Sequence, residues 1–64
     1  MPVSDQQIKS KVGAFCMPTF HLLPQAGTPA QGTLIRDTQG DYRVVRVLRE
    51  SRAGFGAIVL AEAA

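Results

Sequence analysis

From Gly32 to Ala61 the chain alternates short apolar runs with turn chemistry, reading GTLIRDTQGDYRVVRVLRESRAGFGAIVLA. Thr33 to Asp37 is a short run rich in β-formers. Thr38-Gln39-Gly40-Asp41 follows as a turn, in which Gly40 can take positive φ at no steric cost. Tyr42 to Arg49 carries a tyrosine and three valines, residues suited to a pleated, half-buried surface. Ser51 to Gly54 breaks the chain again, and Phe55 to Ala61 is a third apolar run. The pattern predicts three antiparallel strands in a row. A helix over 42–52 is the rival, because Arg43, Arg46, Arg49 and Arg52 recur every third residue. On a helix each such step drifts by about 60°, which would smear the arginines over half the circumference. The valines also lose side-chain freedom there. As a regular strand the segment would put Arg43, Val45, Val47 and Arg49 on one face, and Tyr42, Val44, Arg46 and Leu48 on the other.

Upstream, Ser4-Asp5-Gln6-Gln7 has the form of a capping box, with Asp5 favourable in a first helical turn. Ile8, Val12 and Phe15 fall at i, i+4 and i+7, so a helix of about Asp5 to Ala14 is expected, packed on the sheet through that stripe. Gly13 weakens its end and Pro18 forbids much continuation. Thr19 to Leu23, bounded by Pro18 and Pro24, reads as a fourth strand. Residues 24–32 (PQAGTPAQG) form a Pro/Gly loop, functional or mobile at that length, and residues 62–64 a frayed tail. The expected fold is α+β over a single domain, residues 1–64: a short N-terminal helix on a small antiparallel sheet of three or four strands. A small β-barrel resembling the SH3 type is the alternative. The expected core is Ile8, Val12, Phe15, Phe20, Leu22, Ile35, Val45, Val47, Phe55, Ile58 and Leu60.

Size and composition narrow the function classes. A chain of 64 residues buries only about 60% of its unfolded surface, so association or a partner is an expected source of extra stability. One cysteine and one histidine are too few for a structural zinc site, and no cofactor site is indicated. No apolar run is long enough to span a membrane. The N-terminus lacks the order of a secretory signal, and a lone cysteine fits a reducing cytoplasm. A formal net charge of +2 is too mild to imply nucleic acid by itself.

Candidate chemistry is sparse. Cys16 and His21 invite a nucleophile–base reading, but nothing is indicated to orient the base, and Cys16 between Phe15 and Met17 reads as a buried small hydrophobe. Removal of Met1 would leave Pro2 at the N-terminus. VRVLRESRAGFGAIVLAE resembles the C-terminal half of the tautomerases, which use an N-terminal proline as a catalytic base. Those enzymes follow the proline with a strand and a long helix, whereas here a helix start follows at once. Arg52 to Leu60 partly resembles the first ribonucleoprotein motif of RNA-recognition and cold-shock domains. Gly54, Phe55, Gly56 and Ile58 match; Ala57 and Leu60 stand where stacking aromatics belong, so the match assigns no family. The leading expectation is a non-enzymatic protein–protein interaction module, such as a bacterial or phage accessory, assembly or inhibitor protein, with a protein partner or a homo-oligomer. Nucleic-acid binding through Arg43, Arg46, Arg49 and Arg52, with Tyr42 and Phe55 as stacking groups, is the alternative. A small enzyme using Pro2 or Cys16 ranks third.

Overall fold

The computed structural model describes residues 2–13 and 16–64. Five strands make one antiparallel sheet: β1 (Ile8–Gly13), β2 (Pro18–Leu22), β3 (Leu34–Asp37), β4 (Gly40–Arg49) and β5 (Ile58–Ala63). Their spatial order is β1-β2-β5-β4-β3, and the sheet curls into a half-barrel around its own core. This corrects the expected α+β architecture, because no helix packs on the sheet. The capping pattern closes a single 3-10 turn, Asp5–Gln7, and nothing more. Ser4 N–H donates to Gln7 Oε1 at 3.1 Å, and Gln7 N–H to the Ser4 carbonyl at 3.0 Å. The Gln7 carbonyl then accepts from Leu23 N–H at 2.8 Å, and the chain runs on as β1 beside β2. A cap starts a turn but does not choose its continuation. So short a helix is marginal alone, while the edge of β2 supplies a partner for each backbone group of the ladder.

Cross-strand pairs point to the same side of a sheet, so register fixes the faces. Phe20 lies opposite Val59, and Val59 opposite Val47. Ala61 lies opposite Val44, and Tyr42 opposite Ile35. These positions, with Val3, Leu22 and Ala57, form the core on the concave side, where Phe20, Ile35, Val44 and Val59 are fully enclosed. The Phe20 and Tyr42 rings meet edge to face, with centroids 5.1 Å apart. The expected core therefore needs several corrections. Ile8 and Val47 only flank it. Val45, Ile58 and Leu60 are half-buried, Val12 is 54% exposed and Phe55 63% exposed. Phe15 and Ala14 lie outside the described residues. Val59 and Ala61, with Ala57 before the strand, take the inward positions of the last apolar run because pairing sets Val59 opposite Phe20 and Val47, and Ala61 opposite Val44, which turns Ile58 and Leu60 outward.

The two sheet edges, β1 and β3, are tied across the seam of the half-barrel. Val3 bridges β3 in parallel, with Val3 N–H on the Leu34 carbonyl and Arg36 N–H on the Val3 carbonyl, both at 2.8 Å. Lys11 of β1 reaches over, its Nζ 2.7 Å from Asp37 Oδ2, 2.9 Å from Gln39 Oε1 and 5.2 Å from the Tyr42 ring centroid. The hydrogen bond to Asp37 raises the Lys11 pKa, and the same bond lowers that of Asp37. The Asp37 contribution is thus complete above its unfolded pKa and lost as pH falls through the lowered folded one. The Lys11 contribution is complete below the unfolded lysine pKa and lost as pH rises through the raised one. Asp37→Asn is expected to lower the urea midpoint throughout the neutral range, and the gap to the parent should close in strong acid. Paired urea titrations at neutral and acid pH check this; a pH-independent gap would mean that the pair does not couple the edges.

The proline- and glycine-containing segment 24–32 is pinned at several points. A 3-10 turn spans Pro24–Ala26, Pro29 is buried, Thr28 Oγ1 accepts from Ser51 N–H at 2.8 Å, and Gly32 N–H donates to the Val44 carbonyl at 2.8 Å. Among the described residues, no helix is long and apolar enough to cross a membrane.

Candidate nucleic-acid interface

Among the described residues no second layer packs over the convex side of the sheet. Its organisation comes from two β-bulges in β4. Opposite β5, Arg43 pairs with Glu62, Arg46 with Leu60 and Arg49 with Ile58, and the register shifts between Val44 and Arg46 and again between Val47 and Arg49. Each bulge inserts one residue into β4, so three residues of β4 span the length of two on β5. A spacing of three on a regular strand would alternate faces. Here Val45 and Leu48 absorb the extra positions, and Arg43, Arg46 and Arg49 all emerge on the convex side. The faces expected for an unbroken strand are therefore corrected: Arg46 stands with Arg43 and Arg49, and not away from them. At about 3.3 Å per residue on β5, successive arginines stand roughly 7 Å apart.

The neighbouring strands extend this surface. Thr19 pairs with Leu60 and His21 with Ile58, while Val12 and Ser10 of β1 lie opposite Thr19 and His21. Two cross-strand rows result, Val12·Thr19·Leu60·Arg46 and Ser10·His21·Ile58·Arg49. Carboxylates flank both ends of the row: Glu62 faces Arg43 and Asp41 faces Arg36 at one end, and Glu50 lines a hollow with Arg49, Arg52 and Phe55 at the other. Among the described residues the one ion pair is Lys11–Asp37. Asp37 is thus spent at the seam, and among the described residues no carboxylate lies within ion-pair distance of an arginine.

Beyond Arg49, Arg52 to Phe55 closes a tight turn. Arg52 N–H donates to the Phe55 carbonyl at 3.0 Å, and Phe55 N–H to the Arg52 carbonyl at 2.8 Å. Gly54, at φ +81°, holds the third position, as a type II turn requires. Ser51 Oγ donates to the Phe55 carbonyl at 3.1 Å. The exchange of both hydrogen bonds directs Arg52 and Phe55 to the same side. The Arg49 guanidinium carbon lies 5.7 Å from the Phe55 centroid, and Arg49 Nη2 donates to the Gly56 carbonyl at 3.0 Å. That is within range of a cation–π contact and holds the guanidinium in place. Lys9, His21, Arg49 and Phe55 line a hollow of about 180 Å³ together with Gly56, Ala57 and the end of β2. Gly56 is required there by space, since a Cβ would meet the Leu22 carbonyl oxygen at 1.7 Å.

The remaining candidates do not join this site. Tyr42 is 8% exposed, its ring enclosed between Phe20 and Lys11, so it offers no stacking face on the convex side. Cys16 is exposed and not buried as expected, lying off the Pro18 end of β2, whereas His21 is near the Leu22 end. Pro2 is exposed at the opposite side of β3 from β4, next to the Val3 bridge. Among the described residues no three potential metal ligands cluster. Sequence reasoning weighed His21 only as a base for Cys16 and did not single out Lys9, because only the register of β1 and β2 carries them to Arg49. No protein-family model, curated protein or solved structure matches the chain.

Proposed function

We propose that the chain binds nucleic acid on the convex face of its sheet, through Arg43, Arg46, Arg49 and Arg52. The observation that carries the reading is the alignment of the first three on one open face by the two bulges of β4. Arg52 joins them through the turn that also presents Phe55. A row of like charges with no carboxylate in ion-pair contact among the described residues suits a partner whose negative charges also repeat along a chain. Guanidinium groups add bidentate geometry for phosphate. Each engaged phosphate contributes about −0.7 to the slope of log affinity against log salt for single strands, so four arginines give a slope of about −3. Fluorescence anisotropy of a labelled oligonucleotide, titrated at several salt concentrations, measures it. A slope near zero, or no binding at low salt, would overturn the reading.

A protein partner, including a second copy of the chain, is the second reading. The observation that favours it is the outer edge of β1, beside which no described strand lies, together with exposed Val12 and Met17 near its Gly13 end. Such an edge is a template for strand addition. On this reading sedimentation at micromolar concentration gives a species of at least twice the 6.9 kDa chain mass, and a monomer at that concentration excludes self-pairing.

A further inference from the structure

The arginine row accounts for a polyanion but not for the hollow at its end. That hollow has three cationic or titratable side chains in its lining, Lys9, His21 and Arg49, and one aromatic wall, Phe55. Phe55 is the most exposed large apolar side chain described, at 63%. It is also held firmly: its backbone exchanges two hydrogen bonds with Arg52, its carbonyl accepts a third from Ser51, and Ser51 is itself tied to Thr28. A large aromatic ring held out in solvent on a braced turn contributes little to the core, which lies on the other side of the sheet. At about 180 Å³ the space is smaller than the roughly 300 Å³ of a pocket for a drug-sized ligand. It matches a single flat ring system.

We infer that this hollow takes one unpaired nucleobase, stacked on Phe55, with the adjoining phosphate held by Lys9 and Arg49. The preferred ligand is therefore a single strand and not a duplex. This rests on the nucleic-acid reading above and narrows it. A paired base has both faces covered by its neighbours and cannot enter a hollow walled by Phe55. An unpaired base can, and stacking on an aromatic is tolerant of base identity. Arg49 joins the two functions, since it closes the phosphate row and also lies over the Phe55 ring.

The test compares oligothymidylate, an abasic oligomer of equal length and a duplex of the same length, using the whole chain. The abasic strand keeps the phosphates and removes the bases, so it isolates stacking from charge. Wild-type protein is expected to bind oligothymidylate about 10-fold more tightly than the abasic strand, within the range that one stacked base supplies. Phe55→Ala should erase that preference and leave the salt slope unchanged, while Phe55→Tyr should restore it. Equal binding of oligothymidylate and abasic strand by wild-type protein, with the salt slope intact, overturns this inference alone. Tighter binding of the duplex also overturns it. Absence of binding to all three ligands overturns the nucleic-acid reading with it.

Discussion

Replacing Arg43 and Arg46 together by alanine is expected to halve the salt dependence of oligonucleotide binding. With four arginines engaged, a fourfold rise in salt reduces the affinity for a single strand about 50-fold; with two it reduces it about sevenfold. The wild-type protein and the double variant should converge at high salt and diverge steeply at low salt. Both side chains are exposed, and neither is in an ion pair among the described residues, so the thermal midpoint should change little. The same substitutions also discriminate between geometries. On a regular strand Arg43 and Arg46 would face opposite ways, and one of the single variants would be silent. Across two bulges both point to the convex face, and each single variant should lower the slope by about 0.7. One silent single variant would sink the aligned-face account.

Gly56→Ala is expected to be the most disruptive single small substitution in the second half of the chain. The added Cβ would lie 1.7 Å from the Leu22 carbonyl oxygen and 2.6 Å from its carbon. Both are backbone atoms, so no rotamer change relieves the clash. The segment leading into β5 would have to lift away from β2. The Leu22 N–H to Ala57 carbonyl bond, now 2.9 Å, is next to the clash. Overpacking of this kind costs about 3 kcal/mol or more, against a total stability of roughly 3–10 kcal/mol for a chain of this size. Gly54→Ala supplies the comparison. Nothing lies within 4 Å of that Cβ, and the cost is only that of a non-glycine residue at positive φ, about 1 kcal/mol. Urea unfolding should therefore rank the variants with Gly54→Ala close to the parent and Gly56→Ala largely unfolded. The reverse order would show that the turn, and not the close approach to β2, limits stability.

The two glycines show what kind of information a single sequence holds. Gly54 and Gly56 look alike in the string, and both are legible as a break in the apolar pattern. One is there for its dihedral angle and the other for the space beside it. The second reason refers to Leu22, far away in the chain, and no local pattern carries it. Lys9 and His21 are a similar case, placed beside Arg49 only by strand pairing.

Local composition by itself located the four strands from residue 18 onward, but not the bounds of the last, which runs from Ile58 to Ala63 and not from Phe55. Pro18 and Pro24 bracket β2, Gly40 marks the turn into β4, and the β-branched runs of β4 and β5 lose too much side-chain freedom to be helical. It also determined the excess of arginine between 36 and 52. What tertiary structure alone decided was the state of residues 8–13 and the direction of the side chains. The capping box and the Ile8–Val12 spacing favour a helix locally, but a short helix yields little by itself, and the free edge of β2 offered a complete ladder. Face assignment on β4 was decided in the same way. The side-chain period of a lone strand is two, whereas a bulge belongs to a pair of strands of unequal length. The threefold arginine repeat alternates between faces on one strand, and it becomes a single row only when β5 pairs with it two residues at a time.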